Sequence, residues 1–593
     1  VRDSAVTPPL AGPNDQTRAA GARFRDTLDL QLQIRRAVLR PEADDGPRVE
    51  VVTFGEAGAE PTVPGPLVRV AAGTTILARV CNTLADTVWL VGLANRGDTV
   101  VAPPSGAVES VFTVVSPSLR VYRGITRQDT VMQPNGPSTT LAGAIIVDGE
   151  ERWADKVLVI TEWSPLSPAN AFALQVNGRS WPHTERLRYD VGDTARWIVV
   201  NASAVEHPMH LHGFHFLVTA RSHAASDSIY APDHHRLAVT ELLAPDESMA
   251  LEWIPTRGGR WLFHCHFASH MGATQRFSMM GIEPPEPTAH EPHSAERAMA
   301  GLVVGIDVAG DPAAGLATGT PALRARLLVQ DRPGVYPDGD PGFGYVLQNG
   351  TEPAADSIVV PGSPILLTRG QPSEILVINR LAVPTSVHWH GLEIESFFDG
   401  VPGWSGNDRR TTPEILPGDS FLVRIVPPRA GTYIYHSHSS ELEQLGSGLF
   451  GPLVVLEPDQ SFDPRTDHFL IFSMAGPNTD IAPIVANNGA DPALVLEPGM
   501  THRIRIINIS ADDQIEMEIR DQNGRVPWRI LARDGANVPA AHGREHPAFL
   551  VTGAGQTVDV ALQPRDADLR LVVRSFNDFE ANIRVRPARD SAK

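Results

Sequence analysis

Thiols are nearly absent from this chain. Its 593 residues include two cysteines, Cys81 and Cys265, too few for a disulfide framework. Aromatic residues amount to 6% of the whole. No apolar run approaches the roughly 20 residues a helix needs to span a bilayer, which excludes a helical membrane anchor within this stretch. Positive charge is in short supply: 50 Lys and Arg stand against 69 Asp and Glu, a formal net charge of −19. A polyanion binder needs a basic surface, so nucleic acid is excluded as a partner. Long amphipathic helical patterns are missing too.

What the chain does have is turn residues, with Gly 50 and Pro 51, and strand patterns between them. "LDLQLQIRRAVL", "ARWIVVNAS", "EILVINRL", "HRIRIINIS" and "LRLVVRS" alternate, or run β-branched and aliphatic, until Gly, Pro, Asp or Asn stops them. The pattern predicts an all-β protein, and the length demands more than one core. An internal repeat sets the number. The segment "PGPLVRVAAGTTILARVCNTLADTVWLVGL" (64–93) matches "PGSPILLTRGQPSEILVINRLAVPTSVHWHGL" (361–392), and "SMALEWIPTRGGRWLFHCH" matches "TVDVALQPRDADLRLVVRS". The expectation is a two-sandwich unit written twice, giving domains over 1–152, 153–308, 323–458 and 459–593. "AGDPAAGLATGTPA" (309–322) is the linker between the halves.

The copies differ in histidine. Where the third has His388, His390, His436 and His438, the first has Trp89, Val91, Arg123 and Ile125. Where the second has His207, His210 and His212, the fourth has Gln514, Met517 and Ile519. In the same way, His264, Cys265 and His266 align with Val573, Arg574 and Ser575. Metal-type residues therefore fill the two middle domains and are missing from the outer two. On a strand, residues i and i+2 share a face and i+1 takes the other. In "HCH", His264 and His266 then face one way and Cys265 the other, so one strand can serve two metal sites. His210, His212, His264, His266, His388, His390, His436 and His438 make eight imidazoles able to converge between the second and third domains. His207, Cys265 and His270 form a His₂Cys set, the ligand type of a blue-copper electron-transfer site. Zinc fits poorly, since eight imidazoles exceed any single zinc site. Cys81, in "ILARVCNTL", reads as a buried inert thiol; a bridge to Cys265 would use up a sulfur surrounded by metal-type ligands.

"HPMHLHG", "HCHFASH", "HWHG" and "HSH" closely resemble the motifs of the multicopper oxidase family, which includes laccases. The resemblance covers nearly the whole chain through the repeats. It implies four consecutive cupredoxin-like Greek-key β-sandwiches and four copper ions per chain. Type-1 copper would be held by His207, Cys265 and His270, with Cys265 carrying electrons onward. Type-2 copper would be held by His210 and His388. The type-3 pair would be held by His212, His264, His266, His390, His436 and His438. The partners implied are a small-molecule electron donor and O2. The implied location is secreted or periplasmic, as is usual for such enzymes. The order departs from three-domain members, where "HWHG" and "HSH" precede "HCH". It resembles instead a duplicated two-domain member whose inter-subunit site has become internal, which is compatible with a monomer.

The family's axial Met would fall about ten residues after the cysteine, at Gln275. "MAGLVVGIDV" reads as the strand that normally carries that Met, so Met299 is the expected axial ligand, with Gln275 the alternative. Residues 272–297 then form an insertion whose Met279, Met280, His290 and His293 would shape donor access. Asp399, nine residues after His390, is expected to deliver protons to the cluster, the alternative being a turn-capping role before Gly400. Glu441 and Glu443 receive no role. The leading function is a laccase-like oxidase of phenols or aromatic amines. A metallo-oxidase acting on Cu(I), Fe(II) or Mn(II) is second, and a non-catalytic copper carrier third.

Overall fold

The computed structural model describes residues 8–127, 139–150, 153–164, 172–277, 295–312, 319–478, 482–489, 492–565 and 567–586. Met279, Met280, His290 and His293 lie outside these residues. Strands dominate, and the longest helix among the described residues, Glu441–Gly446, has 6 residues. The protein is all-β.

The strands form eight sheets. They pack face to face in pairs, each pair enclosing one main apolar core. The first pair is built around Thr27–Leu39, whose "TLDLQLQIRRAVL" alternates strictly enough to send Leu28, Leu30, Leu32 and Ile34 into the core. The second pair joins a sheet containing Lys156–Trp163 and Ala195–Asn201 to one containing His207–Leu211 and Gly259–Cys265. Lys156–Trp163 is buried at every position, because its outer face packs on the first pair. Val157 and Val159 there meet Ala144 and Ile146. The third pair holds His388–His390 and Gly431–His436 in one small sheet. The fourth contains His502–Asn508, Ile515–Asp521 and Leu569–Arg574.

These pairs are not beads on a string. Gly406–Asn407, from the third, adds to the second pair's sheet by pairing with Arg260. Ala554, from the fourth, belongs to the core of the second, and Ala268 of the second belongs to the core of the fourth. Burying apolar surface across these seams favours a fixed arrangement over independent domains.

Two expectations need correction. Cys81 is exposed, because its strand alternates and the inward positions are Val80 and Asn82. The first and third pairs also differ in register. Tyr122 and Tyr435 take the same place, each ring standing where a side chain on Gly143 or Gly451 would otherwise sit. The next residue, His436, pairs with His388, whereas Arg123 pairs with Val91 instead of Trp89. A two-residue slide preserves which face each side chain takes, so the hydrophobic pattern cannot reveal it.

Candidate metal centre

The strand Gly259–Cys265 sorts its side chains onto two faces as its pleat requires. Trp261, Phe263 and Cys265 enter the second core, where the Trp197 ring lies 5.2 Å from Phe263 and 5.3 Å from Trp253, both edge-on. Such edge-to-face pairs add about 0.5–1.5 kcal/mol each beyond their buried area and hold the strand against shifting. Leu262 and His264 take the other face, toward the third pair. The neighbouring strand His207–Leu211 runs antiparallel, with His210 opposite His264 and Met209 opposite Cys265. In the third pair, His388 lies opposite His436. All four histidine pairs thereby meet in one buried volume.

On the core side, the Cys265 Sγ lies 3.6 Å from His207 Nδ1 and 3.5 Å from His270 Nδ1, and the two nitrogens are 3.1 Å apart. His207 Nε2 is tied to Ser203 Oγ at 2.7 Å, leaving Nδ1 free to ligate. On the other side, each imidazole but one commits one nitrogen to the protein. The Nδ1–H groups of His210, His388, His264 and His436 donate to the carbonyls of Val239, Asp399, Cys265 and Ser437 at 2.7–2.9 Å. His212 Nδ1 donates to Asp399 Oδ2 at 2.8 Å, and His438 Nδ1 stands 3.0 Å from Glu441 Oε1 as an ion pair. His390 is reversed, its Nε2 meeting Thr240 Oγ1 at 3.2 Å. Only His266 Nδ1 finds no protein partner.

The free nitrogens are the informative ones. His210, His388, His436 and His438 each bury an Nε2 with no hydrogen-bond partner. His212 Nε2 and His264 Nε2 face each other at 2.8 Å, although each Nδ1 already carries the proton. His266 Nε2 lies 3.2 Å from His390 Nδ1. Inward-facing lone pairs at these distances repel unless cations sit among them, and the tautomers are those that second-shell acceptors impose on metal-ligating histidines. The residues fit copper: imidazole and thiolate suit it, and the ligands fall into groups including His207–Cys265–His270, His266–His390–His436 and His210–His212–His264.

Burial holds nearly all these imidazoles neutral, the form that binds metal. His207, His210, His212, His266, His388 and His390 lie well below the usual histidine range, His264 and His436 at about 4, and His270 at about 3. His438 departs: burial opposes its charge, but buried Glu441 raises it, and Glu441 is itself held at about 2 by His438 despite burial. Burial pushes the Cys265 thiol well up, so only an adjacent cation would keep it a thiolate.

Of the expected residues, Met299 packs with Trp181, Val401 and Trp404 and lines a small cavity shared with His438 and Ser439. Gln275 is 3% exposed, its Oε1 buried without a partner, and its Cγ lies near Gly301, which approaches the His270 carbonyl. In "MAGLVVGIDV" the strand begins at Val303, and Met299 ahead of it makes an isolated bridge with Gly272. Asp399 is fully buried beside the cluster, hydrogen-bonded to His212 and Ser405, and burial raises it to about 7. Its neighbour Gly400, at φ +95°, presses on the backbone of Val387 and His388, and any Cβ there would collide. Glu441 went unassigned although its spacing from His438 was visible; Thr240 and Ser203 carry no signal in the sequence.

A sandwich that buries a thiol between two imidazoles, with eight more imidazoles from four segments converging behind the same strand, has the ligand set of a copper centre. Comparison agrees: two family models, each described as multicopper oxidase, match residues 157–283 and 358–460. Two segments of the chain, in the second and third sandwiches, are thus similar to multicopper oxidase domains. It is 35% identical over 115 residues to a copper resistance protein A homolog of Pseudomonas syringae pv. tomato (19% of this chain, 18% of the relative). It is 29% identical over 197 residues to a laccase of Fomitopsis schrenkii (29% and 34%). An iron transport multicopper oxidase of Schizosaccharomyces pombe shares 30% over 187 residues (28% and 29%). The chain spans about a fifth to a third of the length of these curated relatives.

Proposed function

We propose that the protein is a copper-dependent oxidase coupling one-electron oxidation of phenols or aromatic amines to four-electron reduction of O2 to water. The observation carrying this reading is the strand that turns Cys265 into one ligand group and His264 toward the other. Only a few covalent bonds then separate the two groups. A storage protein has no need of that link; a protein moving electrons between two metal sites does.

In this reading four ions bind per chain. His207, Cys265 and His270 hold the type-1 ion, with Gln275 in place of Met299 as the weak fourth group. His210 and His388 hold the type-2 ion. His212, His264 and His438, with His266, His390 and His436, hold the type-3 pair. Copper, when bound, supplies the one-electron and oxygen chemistry. The chain keeps water out of both groups, fixes every ring through its committed nitrogen, and stores a proton on the Asp399 carboxyl beside the cluster, where reduction of O2 consumes protons. The four sandwiches correspond to a two-domain unit in tandem whose outer copies have lost their ligands. The protein is secreted or periplasmic.

A metal-ion donor is the second reading, favoured by the similarity to an iron transport multicopper oxidase. Oxygen uptake by copper-reconstituted protein, with a phenol and with Fe(II), Mn(II) or Cu(I), separates the two. Absence of uptake with every donor would leave only a copper carrier.

A further inference from the structure

The fourth sandwich has no ligand of its own, yet three of its loops, at Asp534, at Gly555–Gln556 and at Ala511–Asp512, reach the residues that orient the ligands. The first loop presents Asp534, 3% exposed and at φ +47°. Its Oδ2 accepts from the backbone N–H of Val239 at 3.0 Å and of Thr240 at 3.1 Å, and its Oδ1 accepts from Thr557 N–H at 3.0 Å. Val239 and Thr240 are the residues that orient the cluster: the Val239 carbonyl takes the His210 Nδ1–H, and Thr240 Oγ1 contacts both His210 Nδ1 and His390 Nε2. Gln556 grips the same segment by donating to the Thr240 carbonyl at 2.9 Å. Gly555 lies so close that a Cβ would stand 2.7 Å from the His266 ring and 2.9 Å from His390. The third loop touches the other metal group. The Ala511 carbonyl accepts from Ala268 N–H at 2.8 Å, and Asp512 Oδ1 from Ser269 N–H at 2.9 Å, fixing the turn that carries His270.

Resting on the copper reading above, we propose that the fourth sandwich positions both metal groups, Asp534 acting on the trinuclear cluster and Asp512 on the His₂Cys site. Neither carboxylate contacts a ligand side chain. Each holds a short backbone segment whose own carbonyl, hydroxyl or turn geometry fixes a ligand ring. A sandwich that lost its metal residues thus retains a metal-related task, and the gripped segments belong to a different copy of the repeat.

The two aspartates predict opposite defects. Second-shell losses of this kind weaken metal binding about 10- to 100-fold. In copper-loaded full-length protein, Asp534→Ala should release cluster copper to a chelator faster by that factor while the visible thiolate–copper band stays as in wild type. Asp512→Ala should shift or bleach that band and leave cluster copper in place. Gly555→Ala repeats the Asp534 test without removing a charge, and Asp534→Asn, which keeps an acceptor, should restore part of the cluster's retention. If Asp534→Ala and Gly555→Ala both hold cluster copper as wild type does, or if either aspartate variant loses both copper classes together with its melting temperature, the positioning role is overturned. A wild-type chain that takes up copper without two distinguishable classes would bring down the underlying copper reading first.

Discussion

Glu162 offers a test of how the second sandwich tolerates a buried charge, independent of any metal. It lies 1% exposed in the fully buried strand Lys156–Trp163, on the face of Leu158 and Ile160 that turns toward the second sandwich's own core. Burial raises its carboxyl from the usual 4.5 to about 8, outweighing the hydrogen bond it accepts from the Ala204 backbone. Folded protein therefore keeps the proton between pH 4.5 and 8 while unfolded chain releases it. Because the native state binds more protons there, stability falls as pH rises through that window. Each pH unit costs about 1.4 kcal/mol, so the penalty is near zero at pH 4.5, about 3 kcal/mol at pH 7 and about 4–5 kcal/mol above pH 8. Glu162→Gln keeps the shape and removes the charge. Its melting temperature should equal that of wild type at pH 4.5–5 and exceed it by roughly 5–15 °C at pH 9. Paired thermal scans from pH 4.5 to 9 measure this. A difference constant with pH, or a variant less stable at pH 9, would refute the reasoning.

Other perturbations address the site. Cys265→Ser should abolish the visible thiolate–copper band and donor oxidation while the cluster retains its copper, read by metal analysis and paramagnetic resonance. Asp399→Asn should keep all copper yet slow steady-state oxygen uptake by about 100-fold, the usual scale for a lost proton-handling group; full activity would assign Asp399 to its turn. Gln275→Leu should move the reduction potential and visible spectrum of the His₂Cys site, whereas Met299→Leu should change neither, as redox titration would show.

Much of the site could be read before any fold was known, because a strand's period of two makes "HCH" divide its side chains in a single way. The same period puts His207 on the sulfur's side, whereas His270 arrives there on the helical turn Ala268–Met271. Tertiary context decides the rest. Met299 precedes the strand Val303–Ala309 and packs with Trp181 and Trp404, a placement no strand analogy supplies. Cys81 was judged by its apolar neighbours, when only the pairing with Ala107 and the sheet's orientation turn it outward.

Local order alone decided that the chain is all-β and that its metal-type residues gather in its middle. These properties depend on the alternation and identity of residues within a few positions of each other. Which nitrogen of each histidine is free was decided by carbonyls and carboxylates brought in from elsewhere in the chain. The Asp399 pairing with His212 and the Asp534 grip on Thr240 join residues 187 and 294 positions apart. Such contacts leave no periodic trace, since they exist only once separate sandwiches have buried their faces against one another.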